Sequence, residues 1–335
     1  VPSAPRLIKI LLGIVISVAL LVWLFWKVDT RALVARLADT HWGWLIISVA
    51  AALFGLWARA VRWRHLFPAG AHPTHLFNAV MIGYMGNNLL PLRAGELLRV
   101  YVVTRRGQPF WTTVTTLVVE RVLDGLAIGL ILALVFWSVP APREIAWAAE
   151  IFVGVVLAMM AVLVGITAAP LTCRTVLHTL TYRWPAFERR LLSVFDSMSD
   201  GLQGLRRPAQ LVPTLFWSVV IWAAIIFAVW TSFKAARLEL PWSAALCVLA
   251  FLGLGISLPS SPGFIGVFQA ATVLALSLFG VSRVDALSFS LLLHASQFVP
   301  VTVWGLLLLV VEHVSLTDAR RVGATASVSP PGPTS

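Results

Sequence analysis

Two stretches decide how this chain folds: Leu90-Pro91-Leu92-Arg93-Ala94-Gly95 and Leu258-Pro259-Ser260-Ser261-Pro262-Gly263. Each interrupts an apolar segment that is too long for one straight membrane span. Proline lacks a backbone donor and clashes with the turn before it, so a regular helix must end at each. Both stretches read LPxxxG, and each lies between apolar helical runs. The first sits in residues 75–106, the second in the 43-residue uncharged run 240–282. We read each as a re-entrant hairpin of two half-helices. Asn87, Asn88, Pro91, Gly95, Pro259 and Pro262 mark the breaks. For the second stretch, two short full spans are the alternative.

The surroundings of these breaks are membrane-like. Of the 335 residues, 59% are hydrophobic and 12% charged, with a mean hydropathy of +0.90. A soluble globule of this size needs a polar shell, and too few polar residues exist to build one. The net charge of +11 is scattered between apolar runs, which argues against a nucleic-acid-binding domain. Cys173 and Cys247 have neither CxxC spacing nor His partners, so they read as packing residues.

A hydrocarbon core of ~30 Å requires ~20 apolar helical residues. Uncharged runs at 10–26, 41–58, 125–142, 151–173, 208–233 and 286–311 supply about six full spans. The third continues a helix that starts near Thr112. The run 10–26 has no small-residue cleavage site and reads as a first span rather than a signal peptide. The expected fold is an all-α polytopic membrane protein, six spans plus two hairpins, or eight to ten helices counted separately. Placing the N-terminus in the cytoplasm puts 15 basic residues inside and seven outside, with Arg93, Arg99 and Arg121 at membrane depth. That bias obeys the positive-inside rule and predicts a bacterial inner-membrane protein with both termini cytoplasmic. Arg59, Arg62 and Arg64 then read as a topology anchor or a headgroup funnel. Residues 174–207 read as an amphipathic interfacial helix or a solvated loop.

On that orientation the first hairpin enters from the cytoplasm and the second from outside. Opposed broken helices are the mark of inverted-repeat transporters, whose substrate sits at the midplane. The expected organisation is one transmembrane domain over 1–315, with repeat one at 42–139 and repeat two at 208–312. A disordered tail follows at 316–335, small, polar and Pro-rich. Broken helices expose free N–H groups with partial positive charge, which suits a phosphate. Ser260 and Ser261 add hydroxyls, and Gly263 allows close approach.

Charges at this depth are costly, ~2.5–3.5 kcal/mol each at a helix centre, so they should face the protein interior. Glu120 and Asp124 share a helical face and repel, which demands a cation opposite. Arg93 and Arg99 are the candidates, and Glu96 can pair with Arg99 at i,i+3. The arginines can bind a lipid phosphate while Glu96, Glu120, Arg121 and Asp124 orient them or couple a proton. The bland reading is a structural ion network. His294 and Gln297, in an otherwise uncharged helix, suggest a proton relay or an interhelical hydrogen bond.

Several chemistries find no residues here. Lysine occurs only at 9, 27 and 234, so a P-loop is absent. There is no HExxH and no Cys/His metal set, so no cofactor or metal is expected. No paired acidic motif of the DxD type lies outside the spans, which weakens an enzyme reading.

The stretches GYMGNNLLPLRAGELLRVYVVTRR (83–106), VVERVLDGLAIG (118–129), LPSSPGFIGVFQA (258–270) and HASQFVPVTVWG (294–305) resemble the lysylphosphatidylglycerol synthase transmembrane-region family, the flippase-like integral membrane proteins. Asn88, Pro91, Arg93, Gly95, Glu96 and Arg99 match its first motif; Glu120, Arg121 and Asp124 its second; Pro259, Pro262, Gly263 and Gly266 its third. The resemblance implies a lipid-translocating domain like the flippase half of the multiple peptide resistance factor. It also implies a role in polyprenyl-phosphate-linked glycan pathways for some relatives. No extramembrane segment is long enough for the aminoacyl-transferase domain in the family's name, so lysyl transfer is not expected.

The expected function is therefore transport of an anionic lipid (phospholipid, aminoacylated phosphatidylglycerol or polyprenyl-phosphate-linked lipid), driven by a proton or the lipid gradient. The alternatives are a membrane-embedded glycosyl transferase using Glu120 or Asp124 as base, and an accessory subunit of a lipid-modifying enzyme or glycosyltransferase. Membrane lipids are the expected partners, and a homo-oligomer is compatible with the sequence.

Overall fold

The computed structural model describes residues 4–26, 28–91, 94–138, 143–202, 207–257 and 261–313. Within them every regular element is helical. Six long helices form the frame: α1 (Ala4–Phe25), α3 (Trp42–Leu66), α6 (Phe110–Ser138), α7 (Arg143–Ala168), α10 (Pro208–Ala235) and α13 (Arg283–Val311). The shorter ones are α2 (Thr30–Ala38), α4 (Leu76–Leu89), α5 (Gly95–Thr104), α8 (Pro170–Thr181), α9 (Pro185–Leu202), α11 (Trp242–Ser257) and α12 (Val267–Ser277). The long helices have 22 to 29 residues, and at 1.5 Å per residue about 20 are enough to cross the hydrocarbon core. Four of them, α3, α7, α10 and α13, are apolar enough to do so over their described length. Their outward faces carry Ile46, Val155, Val219 and Val310, which suit lipid rather than water. This is the polytopic helical membrane protein that the uncharged runs predict.

Both predicted breaks are breaks in the structure. Leu90 adopts an extended backbone (φ −104°, ψ 144°), as a residue before proline must, and α4 stops there. The chain then turns back, and α5 packs against α4. At 14 and 10 residues, neither helix is long enough to cross. Asn87 of α4 caps the returning helix: its Oδ1 accepts the Gly95 N–H at 3.1 Å. In the second break α11 and α12, of 16 and 11 residues, also fold back on each other, with a 3-10 turn, Pro262–Phe264, among the described residues between them. The alternative of two full spans fails on those lengths. Leu92, Arg93, Leu258, Pro259 and Ser260 lie outside the described residues, as does the tail 316–335.

The hairpins enter from opposite ends of the bundle. The open end of α4–α5 lies beside the C-terminus of α13, where Glu312 meets His75, Asn78 and Arg106. The open end of α11–α12 lies at the other end, where Trp242 stacks on Trp230 of α10 at 4.5 Å and Arg36 of α2 pairs with Asp285 of α13 at 2.8 Å. Their tips touch. Gly263, at φ 69°, fits against α4 so closely that a Cβ there would lie 3.1 Å from the Asn88 carbonyl oxygen and 2.8 Å from Phe298. Ser17 of α1 braces the same tip, its Oγ accepting the Ser261 N–H at 3.1 Å. Each hairpin is embedded in its own apolar cluster, α4–α5 with Trp63, Phe67 and Val119, α11–α12 with Phe233, Phe289 and Leu287.

Residues 174–207 hold most of α8 and the whole of α9. The chain bends at Tyr182–Trp184, where Pro185 starts a new helix. Phe195 and Leu202 of α9 are buried, and α9 packs on the first turns of α6.

The clasp at Glu312 gives the first prediction. Burial raises this carboxyl's pKa, but hydrogen bonds from Asn78, Arg106 and His75 outweigh it and bring the value down to about 2. A carboxylate with a lowered folded-state pKa stabilises the fold above its ordinary pKa of 4.5 and loses that contribution as the pH falls toward 2. Glu312→Gln should therefore melt below the wild type above about pH 5, with the gap closing as acid is added. A gap independent of pH would show that the charge of Glu312 does not tie α13 to the first hairpin.

Candidate functional site

Beside the first hairpin, α3, α5 and α6 bring their charges together. Glu120 of α6 is fully buried and is gripped from two sides. Arg99 of α5 donates Nη1 to Oε1 and Nη2 to Oε2, both at 2.9 Å, in a two-pronged pair. Arg59 of α3 reaches the same Oε1 at 3.2 Å and also bonds Asp124 Oδ2. Arg62 donates to Asp124 Oδ1 at 2.8 Å and to Ser218 of α10 at 3.2 Å. The Arg99 guanidinium lies over the Trp63 ring at 4.3 Å, and Trp63 Nε1 donates to Thr116.

The network ends in an exposed rim. Arg121 donates Nη2 to Glu96 Oε1 at 2.7 Å, and Asn87 shares that oxygen at 3.4 Å. Glu96 Oε2 is buried without a hydrogen bond and lies 3.5 Å from Arg99 Nη1. Among these side chains Arg59, Arg62 and Arg99 are at most 6% exposed, whereas Arg121 is 41% exposed. Four guanidiniums here face three carboxylates, so the described cluster keeps one net positive charge.

The sequence reading looks to Arg93 and Arg99 to neutralise Glu120 and Asp124. Arg99 does so for Glu120. Asp124 is instead held by Arg59 and Arg62, residues that charge counting places outside the membrane as an anchor. The physical reason is that α3 runs to Leu66, well past the end of the uncharged run at 58. Arg59 and Arg62 are i,i+3 and point inward with Gly55 and Leu66, while Arg64 faces out. That spacing was the available signal. Arg93 lies outside the described residues.

The other candidates fall elsewhere. Asn88 donates to Thr302 Oγ1 at 2.9 Å and so ties α4 to α13. The Ser261 hydroxyl is turned onto its own loop, donating to the Ile265 carbonyl at 3.3 Å. Gly263 spends its conformational freedom on contact with Asn88. Pro91 and Pro262 border the two tips, while Pro259 and Ser260 are not described. His294 sits apart from the ion network, at the second tip, with Phe268 stacked on it at 4.4 Å. Gln297 is half-buried one turn further on. Among the described residues no three His, Cys, Asp or Glu side chains are grouped to hold a metal.

An apolar cleft of about 590 Å³ opens between α6, α7 and α10, walled by Val122, Leu123, Met160, Leu163 and Leu211. Thr214 lines it too, and its backbone carbonyl accepts from Ser218, the partner of Arg62. The cleft and the charged cluster are thus neighbours. The contact between them runs through the buried Arg62.

Known proteins match this chain along nearly its whole length. Glycosyltransferase AglD of Haloferax volcanii is 24% identical over 96% of the chain and 57% of its own length. The chain therefore spans little more than half of that relative. A UPF0104 membrane protein of Methanothermobacter thermautotrophicus is 24% identical over 90% of the chain and 92% of its own length. The family described as the lysylphosphatidylglycerol synthase TM region matches residues 10–305. With that match and an all-helical bundle of broken and unbroken spans, the chain belongs to the lysylphosphatidylglycerol synthase transmembrane-region family.

Proposed function

We propose that this chain moves an anionic, phosphate-bearing lipid between the leaflets of its membrane. The observation that carries the reading is the net positive charge beside the first hairpin, with Arg121 exposed at its rim. A headgroup phosphate takes the free side of the Arg121 guanidinium. Arg59, Arg62 and Arg99, locked on Glu120 and Asp124, hold the local potential positive. Glu96, bonded to Arg121 through Oε1, sets the orientation of that guanidinium. The acyl chains stay in lipid or enter the neighbouring apolar cleft.

Two hairpins that meet tip to tip from opposite ends support an inverted-repeat transport mechanism, in which one half rocks against the other. The even number of long helices and the basic bias of the sequence support a reading in which α1 begins and α13 ends on the cytoplasmic side. The name of AglD favours glycosyl transfer as a second reading. Glu120 and Asp124 are poorly suited to the base it requires, because guanidinium nitrogens already occupy their oxygens. A non-enzymatic transporter fits the geometry better.

The test is reconstitution with fluorescent lipids of several headgroups and quenching by external dithionite. Wild type should expose inner-leaflet lipid. Arg121→Gln should slow this by about tenfold or more, the worth of one charged hydrogen bond. Its melting temperature should barely move, since half-exposed pairs contribute little to stability. Equal quenching in empty and loaded vesicles for every lipid would overturn the proposal.

A further inference from the structure

The second hairpin tip is fastened by groups that the lipid site does not use. Gln269 of α12 accepts the Gly266 N–H at Oε1, at 2.8 Å. This caps the start of α12 and fixes the amide's orientation. Its Nε2 therefore faces His294 Nδ1 at 2.9 Å and donates to it. An amide nitrogen only donates, so Nδ1 is the acceptor and the ring is neutral, with its proton on Nε2. One imidazole thus holds the amide that caps the first turn of α12 against the tip, packed face-on against Phe268 and edge-on to Phe298 at 5.7 Å. The same tip presses on Asn88 of the first hairpin.

We propose that His294 is a proton-binding site that locks the second hairpin tip when neutral and releases it when protonated. A hydronium ion gives its proton to the Nδ1 lone pair: the Nδ1–H bond forms as one O–H bond breaks, and a water molecule leaves. Two donors, Nδ1–H and Gln269 Nε2–H, then face each other. If the amide turns over, Oε1 accepts from the ring, but Gly266 N–H loses its acceptor and meets an NH₂ group. Either outcome strips the tip of a hydrogen bond. This makes the tip a two-state element biased by one proton.

No nearby charge preempts that role. Neither α12 nor residues 261–266 carry a titratable side chain, and α4 carries only Tyr84. On α13 the flanking charges are Arg283 and Asp285, about 16 and 14 Å away along the helix. Asp285 is paired with Arg36. From α3, Arg59 and Arg62 are engaged with α6, and Lys234 of α10 lies over Trp230. Arg6 and Lys9 of α1 lie two turns or more before Ser17, which touches the tip.

The inference stands whether or not lipid is moved, and its test needs no transport. Hydrogen exchange of amides 261–268 is measured in purified protein from pH 8 to pH 5, corrected for intrinsic rates, alongside an NMR titration of the His294 ring. Wild-type exchange should accelerate about tenfold or more, with the same midpoint as the ring. His294→Gln accepts and donates at similar places, so its exchange should stay slow and independent of pH. Gln269→Leu should exchange fast throughout. Should His294→Gln fail to fold, the wild-type comparison decides. Tip exchange that is flat across the range, or that shifts at a pH where the ring does not titrate, overturns the proposal.

Discussion

Asp124→Ala should cost the protein about 3–5 kcal/mol, enough to lose most of the folded material on solubilisation. The substitution leaves Arg62 Nη2 without its carboxylate and takes from Arg59 one of its two carboxylate partners. Both guanidiniums are buried between α3 and α6. A charge stranded in this way carries its full desolvation penalty, which is much larger than the net worth of the pair. The double variant Asp124→Ala with Arg62→Met tests this account. Removing the charge along with its partner should recover a large part of the loss, because Arg59 keeps Glu120 at 3.2 Å. Melting temperature and monodispersity in detergent measure both variants. A single variant as stable as wild type would mean that the network is hydrated, and the cationic site would lose its fixed frame.

Pro91 and Pro262 identify the breaks because proline acts on the backbone of its own neighbourhood. Opposed hairpin directions follow from counting spans. That the tips touch, with Gly263 on the Asn88 carbonyl, depends on how α1, α4 and α13 pack, and no local pattern encodes it. Arg59 and Arg62 were hidden for a different reason. Charge counting treats an arginine beyond an uncharged run as outside, yet a helix can carry arginine inward when a partner helix offers carboxylates at matching depth. The i,i+4 pair of Glu120 and Asp124 announced that need, and the i,i+3 pair in α3 answers it. Arg99 shows the converse. Its position was legible, but it is buried under Trp63 and paired with Glu120, and Arg121 takes the exposed place.

A second large effect should come from a single methyl group. At Gly95 an added Cβ would lie 1.9 Å from the Gly83 carbonyl oxygen and 2.6 Å from the Asn87 backbone nitrogen. Both are backbone atoms of α4, so no side-chain rotation relieves the clash, and the two halves of the hairpin must separate. Overpacking in cores costs about 1–3 kcal/mol where side chains can yield, and Gly95→Ala should reach or exceed the top of that range. Separation also breaks the cap from Asn87 and moves Glu96 and Arg99 away from α6, so the proposed lipid transport should fall along with stability. Gly154→Ala is the matched control, since a Cβ there meets nothing within 4 Å and the helix already holds it in ordinary geometry. It should leave the melting temperature unchanged or slightly raised. If Gly95→Ala matched that control in both melting and dithionite assays, α4 and α5 would not cross at backbone contact, and the rim that holds Arg121 against Glu96 would have no fixed position beside α6.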